Sequence, residues 1–154
     1  MTEPRGPAGG RSPAPGAIGT VPDTVIAAAW VLVRDRRVLV VRAHDSDAFY
    51  LPGGKPEPGE SYAEAAAREV REEVGLLVDP ATLTSFADFI APAHNRPPGT
   101  RVRLICFTGA DPGGGPKPAN EIAELGWFTQ GDAQRTAPAI RLVLAQLVSE
   151  GRID

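Results

Sequence analysis

GKPEPGESYAEAAAREVREEVGL, residues Gly54 to Leu76, decides how the rest of this 154-residue chain is read. Its first half is turn-forming, and Pro56, Pro58 and Gly59 keep the backbone extended up to Glu60. Ser61 with Glu64 three residues on is a capping-box pattern, so a helix is predicted from there, ended by Gly75 as its C-terminal cap. Helical positions advance by about 100° each, which brings Glu69, Glu72 and Glu73 within roughly 100° of one another. Ala63, Ala66, Ala67, Val70 and Val74 form a separate stripe centred about 130° away. One face can pack while the other presents three carboxylates. Arg68 has i,i+4 spacing to both Glu64 and Glu72 and can pair with either.

Negative charge gathered this way repels itself unless a cation sits in it. Carboxylate, carbonyl and water oxygens suit hard divalent ions, Mg²⁺ or Mn²⁺, with substrate phosphates completing the shell. A solvated acidic face with no function is the competing reading. Spacing separates the two. Gly54, five residues, Glu60, seven residues, Arg68-Glu69-Val70, one residue, Glu72-Glu73, one residue, Gly75-Leu76 fill every fixed position of a known motif. The stretch resembles the box of the Nudix hydrolases, which cleave nucleoside diphosphates linked to another moiety, and it covers 23 of the 154 residues.

That resemblance implies an α/β fold: an α/β/α sandwich with a mixed sheet and the box as a loop–helix–loop along it. It implies Glu69, Glu72 and Glu73 as metal ligands and catalytic groups, Glu72 and Glu73 being expected to be indispensable, joined by the backbone carbonyl of Gly53 or Gly54, with Mg²⁺ (or Mn²⁺) as cofactor. Glu60 and Arg68 resemble the family's structural ion pair. Two candidates stand for the group that activates water. One is Glu69; the other is a glutamate outside the box, where Glu121, six residues before Trp127, fits better than Glu124. Arg42, at the end of a strand before the box, matches a phosphate-binding arginine, and guanidinium geometry suits that task; a surface strand-end charge is the equal alternative. Lys55 beside the glycines is a second candidate phosphate contact.

Chemically, a diphosphate resists water because its oxygens repel nucleophiles, so metal and carboxylate must act together. Pro92, sixteen residues after Leu76, resembles a position that flags ADP-ribose pyrophosphatases. Overall length and the run LPGGK look more like MutT-type enzymes, so nucleoside triphosphates are slightly preferred as substrate. The guanine-reading asparagine of those enzymes has no match here; Gln134 and Thr136 are the nearest polar residues. Isopentenyl-diphosphate isomerase shares the fold but needs a cysteine in another setting. A non-catalytic nucleotide sensor is a further alternative, against which the intact box speaks. The sequence GGKP lacks a Gly-Lys-Ser/Thr, which excludes a P-loop ATPase.

Composition sets the outer bounds. A hydrophobic content of 42% and a charged content of 23% are those of an ordinary globular chain, and residues 23–154 are read as a single domain. Net charge is −3, so no basic surface advertises a nucleic-acid polymer; a small nucleotide remains the expected partner, with the protein a monomer or homodimer. Cys106, the single cysteine, excludes an intramolecular disulfide and reads as a buried strand residue. No apolar run approaches the roughly 18 residues of a membrane span, and no basic-then-apolar leader opens the chain. A cytoplasmic protein is expected.

Residues 1–22 are Gly-, Pro- and Ala-rich, which predicts a disordered tail. Thr24–Arg34 is a nearly continuous apolar run, predicted to be one buried strand with Arg37–Arg42 as its hairpin partner and Trp30 in the core. Further strands are predicted at Thr82–Ile90, Arg101–Ala110 and Glu124–Phe128, with a flexible connection at Asp111–Ala119. A closing helix starts at Pro138, with Ile140, Val143, Leu144, Leu147 and Val148 on its apolar face. Phe49, Tyr50 and Phe89 are candidates to stack a base, core packing being the better reading of Phe89. His44 and His94 are loop histidines, candidate proton carriers or simply solvated.

Overall fold

The computed structural model describes residues 23–154. The expected tail lies outside that range. Seven strands and two main helices follow in the order β1 (Thr24–Trp30), β2 (Val33–Arg34), β3 (Arg37–Ala43), β4 (Gly53–Gly54), α1 (Tyr62–Val74), β5 (Thr84–Pro92), β6 (Arg101–Thr108), β7 (Ile122–Phe128) and α2 (Pro138–Ser149). They make two sheets, a mixed one in the order β4-β1-β6-β5 and an antiparallel one in the order β2-β3-β7. β1 and β6 run parallel; β4 and β5 are antiparallel to their neighbours.

Alternation along the strands sorts side chains onto two faces. Ala29, Val31, Val38, Val40, Leu104 and Cys106 pack with Ile140, Val143, Leu144 and Leu147 of α2. Their neighbours Trp30, Leu39 and Val41 pack with Val70 and Val74 of α1. Ala28, Ile105 and Phe107 meet Ala65 and Ala66 of the same helix. Sheets thus lie between two helices, the α/β/α arrangement expected.

The apolar run from Thr24 divides where one strand was expected. Val31 N–H still donates to the Phe107 carbonyl of the mixed sheet at 2.8 Å, whereas the Leu32 carbonyl accepts from Leu39 N–H of the other at 2.9 Å. Only Val33 and Arg34 then form the hairpin with β3, closed by Asp35 and Arg36 at φ 52° and 61°. A continuous apolar run cannot show this, because both sheets bury it equally well. Further along, the Asp79 side chain caps a 3₁₀ turn at Pro80–Thr82, so β5 starts two residues later than predicted. β7 starts two residues earlier, at Ile122. The 111–119 connection is not free: Arg34 ties it down through Asp111 (2.8 Å) and the Gly114 carbonyl (2.8 Å).

α1 forms as its caps dictate. Ser61 Oγ accepts from Glu64 N–H at 3.0 Å, and Glu64 Oε1 accepts from Ser61 N–H at 2.8 Å. Gly75 ends it at φ 75°, a left-handed cap. α2 buries Ile140, Val143, Leu144 and Leu147, while Val148 stays on the exposed side of the predicted apolar face. Among the described residues no helix is long and apolar enough to cross a membrane.

Leu39 is 0% exposed beneath α1, so Leu39→Ala should cost about 2–5 kcal/mol in urea unfolding through lost burial and a residual cavity. Leu77→Ala, at a position 75% exposed, should stay within about 0.5 kcal/mol of wild type in the same measurement.

Candidate active site

Two glycines bring the box against the sheet. Gly53 and Gly54 pair with Ala29 and Ala28 of β1. A Cβ on Gly53 would collide with the Ala28 carbonyl and Ala29, and one on Gly54 with the Glu69 carboxylate. Neither glycine has positive φ, and the missing side chain is what the contact uses. This approach lets Gly53 N–H donate to Glu73 Oε1 at 3.1 Å.

Arg68 ties the other side of α1. Its Nε donates to Glu60 Oε2 at 2.7 Å, and one terminal nitrogen reaches Glu69 and Glu72, each at 3.2 Å. The other terminal nitrogen donates to Glu60 Oε1 at 3.0 Å and to the Lys55 carbonyl at 3.1 Å. Glu64, the alternative partner, is occupied by the capping box. The guanidinium of Arg68, helped by Glu57 N–H, holds the Glu60 carboxyl down to about 2. The carboxylates in turn raise the Arg68 pKa.

Carboxylate oxygens of Glu69, Glu73 and Glu121 lie within 4.8 Å of one another. The trio differs from the Glu69, Glu72, Glu73 set expected as ligands. Glu69 and Glu73 stack at i,i+4, but Glu72 is turned by about 100° from Glu73 and rests on Arg68 with 42% of its side chain exposed. Glu121 joins Glu69 and Glu73 from the segment before β7, its own carbonyl accepting from His44 N–H at 2.9 Å. Glu73 is only 6% exposed. Burial pushes its carboxyl up to about 8, Gly53 N–H opposing and Glu69, Glu121 and Glu72 adding to the rise. Burial also raises Glu69, against the pull of Arg68.

Glu73 and Glu121 stand in the wall of a cleft of about 360 Å³, together with Gly53, Gly54 and Lys55. Ala27, Ala29, Val41, Pro92, Leu104 and Ile140 supply apolar lining; Tyr50, His94 and Arg96 add aromatic and cationic groups. His94 Nε2 sits 2.7 Å from Asp47 Oδ1, joining two loops, and its ring stands edge-on to Tyr50 with centroids 6.3 Å apart. That contact lowers the Asp47 pKa, while burial raises that of Tyr50.

Arg42 lies outside the cleft lining. Its guanidinium is taken by Glu124 at 2.8 Å and by the carbonyls of Ala43 and Ser46, the geometry of the strand-end charge rather than of a group turned into the cleft. The same bond occupies Glu124, the lesser candidate base. Phe49 is buried against Phe128, ring centroids 4.8 Å apart, and offers no face for stacking. Thr136 is buried and donates to the Ala133 carbonyl at 2.6 Å. Arg96 was missed; its signal was a lone arginine in the AHNRPP loop, which only the β5–β6 hairpin brings to the cleft. Cys106 is buried, its thiol pushed up to about 12 by desolvation.

An acid-walled cleft beneath a glycine turn, set on this α/β/α frame, defines a class. Residues 23–147 match the NUDIX domain family model, and the chain belongs to the Nudix hydrolase family. The human 8-oxo-dGDP phosphatase NUDT18 is 38% identical over 81 residues, which is 51% of this chain and 25% of that protein. The chain therefore spans about a quarter of that relative. An ADP-ribose pyrophosphatase from Methanocaldococcus jannaschii is 29% identical over 106 residues, covering 67% of this chain and 60% of the relative. Among solved structures, a MutT NUDIX hydrolase from Burkholderia pseudomallei aligns with a TM-score of 0.67 at 25% identity, over 81% of this chain and 98% of that one.

Because Glu60 falls from its ordinary 4.5 to about 2 on folding, its contribution to stability is full above pH 4.5 and lost as pH drops from there to about 2. Thermal unfolding should show wild type above Glu60→Gln at neutral pH, with the two curves converging toward pH 2. A constant gap across that window would place the effect in packing instead.

Proposed function

We propose that this chain hydrolyses the diphosphate linkage of a nucleoside diphosphate derivative with the help of a divalent cation, Mg²⁺ or Mn²⁺. The observation that carries the reading is the convergence of Glu69, Glu73 and Glu121 at the wall of the cleft. The donor set fits a hard ion: it is all oxygen, and the buried Glu73 carboxylate receives a peptide N–H, too little to offset its charge. When bound, the cation supplies charge neutralisation on the phosphates and a more acidic water.

The chain's own residues do the rest. Glu69 and Glu73 would hold the cation, with Glu121 completing the carboxylate set and the Gly54 backbone packed against Glu69. Arg68 fixes Glu69 and Glu72 by ion pairs and does not itself line the cleft, which suits an orienting part. Glu121 is exposed and lines the cleft where Glu69 does not, which favours it as the proton acceptor. Lys55 and Arg96 would steady the phosphate chain, Arg96 taking the place first given to Arg42. The apolar lining with Tyr50 is sized for one nucleobase.

Nucleoside triphosphates remain the preferred substrates. ADP-ribose is the second reading, favoured by Pro92 in the cleft lining and by the relative that carries that activity in its name. A panel of nucleoside triphosphates, 8-oxoguanine nucleotides, ADP-ribose and nucleotide sugars with Mg²⁺ discriminates them; silence on all would sink the enzymatic reading.

Glu73→Gln should lower kcat by about 100-fold or more, whereas Glu72→Gln, at a half-buried position resting on Arg68, should cost less. Mg²⁺ should raise the wild-type Tm and leave that of Glu73→Gln nearly unmoved, as differential scanning fluorimetry with and without EDTA will show. An equal rise in both would remove Glu73 from the cation site.

A further inference from the structure

A helix leaves its last four carbonyls without donors of its own. In α1 these belong to Arg71, Glu72, Glu73 and Val74, and all four are taken. Gly75 N–H donates to Arg71 at 3.1 Å, as a left-handed cap does. The other three donors come from one distant segment. Lys117 N–H reaches Val74 at 3.0 Å, Ala119 N–H reaches Glu73 at 3.0 Å, and Asn120 Nδ2 reaches Glu72 at 2.7 Å.

Asn120 does more than fill a vacancy on the helix. Its backbone stands at φ 54°, in the left-handed region that asparagine tolerates better than most residues. The chain therefore reverses at that residue, and the next one is Glu121. On its far side Glu121 is pinned by His44 N–H on its carbonyl. Its carboxylate thus hangs from a short backbone segment fixed at both ends, one end being the helical turn that carries Glu72 and Glu73.

We propose that Asn120 is a positioning residue: its carboxamide on the Glu72 carbonyl, with its left-handed backbone, sets the Glu121 carboxylate against Glu69 and Glu73. The proposal rests on the reading of Glu121 as part of the cation-holding, proton-accepting set. Asn120 itself touches no substrate and does not line the cleft.

Two variants separate its parts. Asn120→Gly keeps the left-handed backbone accessible and removes the carboxamide; Asn120→Asp keeps the size and turns an acceptor toward the Glu72 carbonyl. Mn²⁺ affinity, read by electron paramagnetic resonance on protein without substrate, should weaken about tenfold in both, the size of effect seen when an outer partner of a ligand is lost. With the nucleotide turned over fastest in the panel, kcat should fall about tenfold while KM moves less than about twofold. Either substitution placed in Glu121→Gln should add almost nothing, because the group being positioned is gone.

Wild-type Mn²⁺ affinity and kcat in both Asn120 variants, with Glu121→Gln impaired, would overturn the positioning role alone. Full additivity with Glu121→Gln would also overturn it, by showing a general loss of helix stability. If Glu121→Gln itself matches wild type in both measurements, the reading of Glu121 fails and the proposal falls with it.

Discussion

A buried carboxylate is the constraint around which this fold is built. Glu73 lies on the packed side of α1, among residues that press the helix onto the sheet: Ala65, Ala66, Val70 and Val74. Burying an acid without a paired cation costs several kcal/mol unless it takes up a proton. Burial drives the Glu73 pKa up to about 8, against the peptide hydrogen bond it receives from Gly53. The apolar packing of α1 supplies the energy that holds it there. Polar groups alone would let the side chain swing to solvent; a helix anchored by valines and alanines on both flanks of Glu73 does not.

Arg68 keeps this from becoming a collapse of charge. Positioned on the opposite shoulder of the helix, it takes Glu60, Glu69 and Glu72 together, with Glu57 a further 3.8 Å contact, so one guanidinium holds four glutamates. Its link to the Lys55 carbonyl fastens the glycine turn to the helix as well. Glu69 is shared: one of its oxygens answers to Arg68 while the group still stands within reach of Glu73 and Glu121. The helix therefore has a neutralised side and an uncompensated side, and the uncompensated side faces the cleft.

Local rules made α1 legible. Capping, the alanine stripe and the i,i+4 relation between Arg68 and Glu72 all act within a few residues, and sequence spacing records them directly. Through-space meetings left weaker traces. Glu121 joins the box only because the 117–120 segment docks on the end of α1, a contact across 48 positions between Asn120 and Glu72. Glu72 and Glu73 are neighbours in sequence and share a charged run, yet burial separates them, and burial is not a property of the run. The places of Arg42 outside the cleft and of Arg96 in its lining were hidden for the same reason. A strand-end arginine finds its acid on the adjacent strand, Glu124, while a loop arginine reaches the cleft through the β5–β6 hairpin.

The cleft and its acid wall have one geometric origin. At Val31 and Leu32 the chain passes from the mixed sheet to the antiparallel one, so the two sheets share that segment and open beside it. Ala27, Ala28 and Ala29 lie just before this point, and small side chains there serve both faces. Ala28 points to α1 and lets Ala65 and Ala66 approach closely, which brings Glu69 and Glu73 to the glycine turn. Ala27 and Ala29 point the other way, into the cleft, where larger residues would occupy the volume a ligand needs. Alternation alone assigns these residues to opposite faces, and the absence of bulk on either side is what permits close helix packing and an open cavity within one strand. The same three alanines thus account for both the place where charge is concentrated and the space in front of it.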